Sequence, residues 1–362
     1  MMILNIIVYI LGLLLLLNNI SFSEAVQVTT DGGYHPRFSP DGTRIAYTGL
    51  WNNEPNLFLV DINGSDKQHI ETGLFGDYHI SWYPDGTKIF FDCRHPITEN
   101  GNIYSVQISD ESVTEFVITP NGQEFTQVCS PDGSKVAYLK HYAGTNRIAY
   151  TPVGGGSEVT IISASYDSYS LGWFCFSPDG TQIAYCAAIG DWTNNNFDIY
   201  VMPVTGGTSQ QLTTNTARDA YPVWSPDGEY IAFSSDRSGN RDIWMIPAKG
   251  GIPTQLTNSP EIEYCPDWSP DGKKIAYAGK GGIWVIDAPT YEPMCGDTDG
   301  SGEIDILDIV FLINFKYKDG PAPDPLEIGN TDGLGGIDIL DIVYLINFKY
   351  KSGPEPICYF GG

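Results

Sequence analysis

Two stretches of this chain place oxygen-bearing side chains at a spacing that can hold a hard cation. In the first, Asp297, Asp299, Ser301, Glu303, Asp305 and Asp308 occupy positions 1, 3, 5, 7, 9 and 12 of a loop, with Gly302 at position 6. Calcium is bound by alternate oxygens of this kind, a glycine at the sharp turn and a carboxylate that closes the shell at position 12. Glu303 would coordinate through its backbone carbonyl and Asp305 through water. The second stretch repeats the first 33 residues later, with Asn330, Asp332, Gly336, Asp338 and Asp341 as the matching donors. Gly336 would serve through its carbonyl. Asn330 replaces an aspartate, and Leu334 offers no side-chain oxygen at position 5, so this loop is expected to bind more weakly.

A looser constellation lies upstream. His35 and His79 each stand five residues before the proline of a repeated turn, and Thr126, Trp173, Tyr221 and Cys265 hold the same place in later copies. At one register of adjacent inner strands they would face a common axis. A funnel lined by His35, His79, Trp173 and Tyr221 can take a sugar or a metal; the plainer alternative is a register that simply holds semi-buried residues of aromatic size. Other material for catalysis is thin. No Gly-x-Ser-x-Gly elbow occurs, which excludes an attached peptidase domain of the prolyl-oligopeptidase type, and the five histidines limit acid–base options. Asp236 and Asp242 read as hairpin-turn residues rather than a catalytic pair.

The elements that position these residues are written six times. FSPDGTRIAY at Phe38–Tyr47 returns, with small changes, around each of the turn prolines Pro84, Pro131, Pro178, Pro226 and Pro270. These prolines and Pro40 lie 44 to 48 residues apart. A period in the forties with β-type residues marks propeller blades. The fifth copy shows the grammar best. Tyr221–Trp224 is an inner strand, Ser225-Pro226-Asp227-Gly228 its turn, and Tyr230–Phe233 the second strand. Ile243–Ile246 is the third and Gln255–Thr257 the fourth. Pro presets φ for the turn, Asp can bond its own backbone, and Gly accepts positive φ. The sixth copy stops after its third strand. Gln27-Val28-Thr29-Thr30 matches the missing fourth strand and would latch the ring shut, removing exposed sheet edges.

These repeats resemble the TolB-type, WD-repeat-like propeller family over residues 26–288. The resemblance implies a mainly β fold, a six-bladed propeller of four-stranded blades, and says little about chemistry. Members include envelope scaffolds, the non-catalytic half of certain peptidases and some polysaccharide lyases.

Residues 296–362 change character. Ile306 to Tyr317 is predicted as a helix leaving the first calcium loop, with Ile309, Leu312 and Ile313 on its apolar face. A short loop with one helix, given twice and closed by Asp rather than Glu, resembles a type I dockerin, a small α-helical, EF-hand-like calcium module. That resemblance implies calcium as cofactor and a cohesin-like module as partner. It also implies partner contacts at positions 10 and 11 of each repeat, here Ile306, Leu307, Ile339 and Leu340.

Composition bounds the rest. With 44 acidic and 19 basic residues the net charge is −25, a field that repels nucleic acid and anionic membranes and favours cations. Residues 1–25 read as a secretory signal peptide cleaved after Ala25, the alternative being an uncleaved anchor helix and with it the one membrane attachment. Either way the chain is exported, to the periplasm, the cell surface or beyond. Seven cysteines are present. Five fall in or beside blade strands as small hydrophobes, while Cys295 and Cys358 bracket the last segment and look like a pair. Residues 289–295 form the linker. The expected protein is a non-catalytic binding or interaction protein with a docking module. The alternatives are a polysaccharide-active lyase or hydrolase working in the propeller channel, and an envelope scaffold; the propeller's own partner would be a glycan or an envelope protein.

Overall fold

A computed structural model of the chain describes residues 24–289, apart from short segments at 75–78, 95–100, 118–122, 143, 166–168 and 190–195. Towards the C-terminus it describes 295–296, 304, 306–318, 323, 329–331, 337–351, 354 and 356. The signal segment therefore lies outside the described residues up to residue 23. Among the described residues, no helix is long and apolar enough to cross a membrane.

Six four-stranded antiparallel sheets form the blades. Five are built from consecutive strands. The sixth runs Tyr264–Trp268, Lys274–Gly279 and Gly282–Asp287, and its outer strand is Val26–Gln27 from the other end of the chain. Val26 and Gln27 stand opposite Val285 and Trp284. Val28 N–H then donates to the Ile283 carbonyl at 2.8 Å, and Thr29 Oγ1 accepts the Ile283 N–H at 2.9 Å. The expected latch is present.

The repeated turn explains its own letters. In blade one, Asp41 Oδ1 accepts the Thr43 N–H at 3.0 Å, while Ser39 Oγ donates to that carboxylate at 2.6 Å and accepts the Arg44 N–H at 3.0 Å. The serine thus ties the turn to the strand it opens. Tyr83 replaces it in blade two, where Asp85 is held by Thr87 instead. The closing glycine sits at a left-handed φ, 71° at Gly42, where a side chain would be strained.

The second strand of each blade is buried on both faces, which selects its Ile-Ala-Tyr pattern. Ile45 and Tyr47 pack on Ala276 and Ala278 of blade six, whereas Ala46 faces Ile89 and Phe91 of blade two. The same large-on-small contact recurs between other blades, for example Ile231 and Phe233 on Ala184 and Cys186. A large residue meets a small one at these interfaces, except between blades two and three, where Phe90 meets Val136 and Tyr138. Each such aromatic contributes about 1.5–3 kcal/mol by burial. Cys93, Cys129, Cys175, Cys186 and Cys265 are free thiols in these interfaces, as their apolar surroundings predict. Burial raises the pKa of Cys175 and Cys186 to about 12, so both are inert as nucleophiles.

Two helices follow the propeller, α1 at Ile306–Tyr317 and α2 at Ile339–Lys351. The first has the expected bounds. Ile309, Leu312, Ile337, Ile342 and Leu345 make their shared core, with Ile313 packed against it.

Candidate functional site

At the propeller axis the inner strands depart from regular pairing. Register shifts interrupt the inner-strand pairing of blades one, three, four, five and six. A bulge re-aims a side chain, and the bulges fall at the register singled out by sequence in every blade but the second, where His79 precedes a regularly paired strand. His35, Thr126, Tyr221 and Cys265 hold left-handed φ values of 52°, 54°, 58° and 53°. Such backbone costs roughly 1–3 kcal/mol in a residue other than glycine, and this kind of strain gathers at functional sites.

The bulges bring the constellation together. His35 stacks on His79 with ring centroids 4.5 Å apart, and Tyr221 lies 6.3 Å from His35 and 3.9 Å from Trp173. Asp92 fixes His79, accepting from its backbone N–H at 2.6 Å and meeting Nδ1 at 3.0 Å. That contact orients the imidazole ring. His35 is held neutral: burial lowers its pKa well below the ordinary value, with His79 and Arg37 adding to the effect. Arg37 lies 3.9 Å from Asp267, whose carboxylate also takes the Phe38 N–H at 2.8 Å across the closure from blade six to blade one. The equivalent bond between blades two and three runs from Cys129 N–H to Ser81 Oγ at 2.9 Å.

Three members of this site escaped the sequence reading. Arg37, Asp92 and Gln127 are polar residues within strands that carry other polar residues, with no spacing that separates them from solvent-facing positions. Asp236 opens the hairpin turn as read, its carboxylate taking the Arg218 N–H at 2.8 Å, whereas Asp242 is the first residue of a strand rather than a turn residue and is buried against Ser238 and Gln255.

The helical pair is a second place of interest. Asp308 and Asp341, at position 12 of the two loops, are wholly buried in the first turns of α1 and α2. Asp341 Oδ2 accepts the Asp338 N–H at 2.7 Å, and Asp338 Oδ1 accepts the Leu340 N–H at 2.6 Å. Lys316 Nζ reaches the Ile337 carbonyl at 2.7 Å and Lys349 Nζ the Ile304 carbonyl at 2.5 Å, so each helix clamps the other repeat's loop. Asn330 is half-buried. Asp297, Asp299, Ser301, Glu303, Asp305, Asp332 and Gly336 lie outside the described residues, as does Cys358. Cys295 is disulfide-bonded. Among the described residues no three His, Cys, Asp or Glu side chains gather as a metal set. Ile306, Ile339 and Leu340 are at least half exposed, and Leu307 lies in α1 with its side chain outside the description.

A family model for the TolB β-propeller domain matches residues 15–191 and 168–288. An uncharacterised protein of Agrobacterium fabrum is 31% identical over 150 residues, which are 40% of this chain and 47% of that protein. The chain thus spans under half the length of that relative. Among solved structures, a putative TolB from Agrobacterium tumefaciens is similar with a TM-score of 0.56 at 18% identity, over 74% of this chain and 97% of the other. An oligogalacturonate lyase in complex with manganese gives 0.51 at 14% identity, over 74% and 93%. At these identities the likeness is one of fold.

Proposed function

Given that the chain belongs to the TolB β-propeller family, we propose that it is an exported, non-catalytic binding protein whose propeller is held on a cohesin-like partner by a calcium-dependent, dockerin-like module. The observation that carries this reading is the equivalence of α1 and α2. Each begins with a wholly buried aspartate at the closing position of an acidic loop, and each lends a lysine to the other's loop. A carboxylate without water needs compensating charge, and an all-oxygen donor set of this kind suits calcium rather than zinc or copper. Calcium, when bound, would neutralise the loops and crosslink them to the helices. Ile306 and Ile339, with Leu340, then stand as apolar side chains in solvent at equivalent places on two helices, as a partner-binding face requires. Cys295 and Cys358 would tie the ends of the module together.

Calorimetric titration of the mature chain with calcium should show one site of micromolar affinity or better and one weaker. Immobilised type I cohesin modules should capture the chain in calcium and release it in EDTA. Absence of calcium binding, or capture indifferent to EDTA, would sink the reading.

A second reading, a polysaccharide-active enzyme working in the channel, draws on the Asp92–His79 pair, since an imidazole oriented by a carboxylate can serve as a general acid or base. Incubation with polygalacturonate and with cellulose, read as new reducing or unsaturated ends, tests it. The likeness to TolB supports a third, in which the propeller binds an envelope protein.

A further inference from the structure

The first strands of blades three, five and six are each entered through a buried acid, Glu124, Asp219 and Glu263. At two of these seams a cation comes with it: Lys140 Nζ lies 3.5 Å from Glu124, and Arg237 Nη2 lies 2.8 Å from Asp219. The third seam is different. Glu263 N–H donates to the Arg241 carbonyl at 2.8 Å, as Asp219 N–H does to the Phe197 carbonyl. Each acid therefore stands beside the aspartate that opens the third strand of the preceding blade, Asp242 or Asp198. Asp242 is wholly buried and Glu263 nearly so, and Asp242 Oδ1 and Glu263 Oε2 have no hydrogen-bond partner. The charged groups nearby are engaged elsewhere, Arg237 with Asp219, Lys280 with Glu261, and Asp236 with the Arg218 N–H. Arg241 acts on Tyr221 and Tyr264 at the axis. Tyr277 faces the pair from the second strand of blade six, its phenol pushed up by burial.

Both unmet atoms are acceptors, and two carboxylates bring no donor of their own. A proton on either carboxyl supplies that donor and removes one of two neighbouring charges that water does not solvate. A hard cation needs more ligands than this pair offers, and among the described residues no three His, Cys, Asp or Glu side chains gather. Burial raises the pKa of both acids, and the Asp242 carboxylate raises that of Glu263 further, against the hydroxyls of Thr257 and Ser259. We propose that the Asp242–Glu263 pair keeps one proton while blade six is docked on blade five. Its loss as pH rises loosens that seam, a pH-sensitive lock on the blade that closes the ring. The unfolded chain gives up both protons near about pH 4. The pair's contribution to stability is therefore fullest below that value and is lost as pH rises through the range in which the folded pair ionises. The lock belongs to the propeller and is independent of the calcium module.

Calorimetry and hydrogen–deuterium exchange on the full mature chain at pH 5 and pH 8 test the proposal. The melting temperature of the propeller should fall between the two. Asp242→Asn and Glu263→Gln, which keep the shape of the parent side chains, should each shrink that fall by about 2–4 °C. Because one proton is at stake, the double variant should shrink it by less than the two single effects together. Corrected for intrinsic rates, exchange should show Lys274–Gly279 of blade six losing protection at pH 8 relative to Lys135–Tyr142 of blade three, whose seam holds Lys140. The double variant should lack this difference. If a variant fails to fold, the exchange comparison within the parent decides. An unchanged fall in both single variants overturns the proposal, and so does equal loss of protection in blades three and six. Fully additive effects in the double variant would mean two separate titrations and refute the single proton. A propeller transition raised at pH 8 by millimolar calcium or manganese would put a metal on the pair instead.

Discussion

Asp198 and Asp267 each have a pKa raised to about 6, chiefly because burial strips water from the carboxylate. The folded protein therefore holds protons there that the unfolded chain releases near pH 4. Their contribution to stability is fullest below about pH 4 and is lost as pH rises through 6. The turn aspartates work the other way. Hydroxyl bonds from Ser39 and Thr87 hold Asp41 and Asp85 below the usual range, so their contribution is present above about pH 4 and lost as pH falls through the depressed value. His35, kept neutral by burial, contributes fully above about pH 6.5 and less as pH falls below it. Asp198→Asn removes one term of the first kind. The drop in melting temperature from pH 5 to pH 8 should shrink by about 1–3 °C in that variant. Identical pH profiles for variant and parent would assign the titration to other groups. At this scale the sequence was partly legible. It marked His35, His79, Trp173 and Tyr221 because they share a register, and it passed over Arg37 and Gln127, whose roles depend on what other blades bring near them.

The element with most at stake is the N-terminal latch. A Cβ on Gly282 would lie 2.2 Å from the Thr29 carbonyl oxygen, so only glycine lets the last blade accept the first strand. Gly282→Ala should cost on the order of 2–4 kcal/mol and lower the propeller's melting temperature by several degrees. Deleting Val26 to Thr30 should go further and uncover the edge of Gly282–Asp287, with a broad, non-cooperative melt. A deletion variant that melts like the mature chain would show that the ring closes by other means. In α1 and α2 the half-exposed Ile306, Ile339 and Leu340 belong to the proposed docking face. Replacing Ile306 and Leu307 with Ala should leave partner capture largely intact, because the equivalent half can substitute. Replacing Ile339 and Leu340 as well should abolish it, while the helical signal in circular dichroism stays unchanged. Capture by the quadruple variant at parental strength would move the face elsewhere.

Over the whole molecule, two units with different needs share one chain. The blades bury Ile, Ala and Tyr against one another in an apolar core, whereas α1 and α2 enclose two carboxylates. Calorimetry should accordingly show two transitions. EDTA should lower or erase the smaller one and leave the larger within about 1 °C of its position in calcium. A single transition that shifts as a unit would mean that the two fold as one. Non-reducing peptide mapping of exported protein should recover Cys295 joined to Cys358; any other partner for Cys295 would refute the pairing. The net charge of −25 sets the solution behaviour of the whole, which should show no affinity for DNA at physiological salt.

The blade count, the strand order within each blade, the latch and the span of α1 were all present in the sequence by itself. Each is encoded locally or by repetition: a Pro-Asp-Gly turn forms wherever those residues meet, and a missing fourth strand shows against five complete copies. The site at the axis was decided only by the tertiary structure. Asp92 reaches His79 from the neighbouring strand, Gln127 reaches the Phe90 carbonyl from the next blade, and Arg37 meets Asp267 only because the ring closes. His35, Thr126, Tyr221 and Cys265 hold a left-handed backbone at the same register of their inner strands. None of these residues favours that conformation on its own, so only the packing of six blades around one axis can impose it.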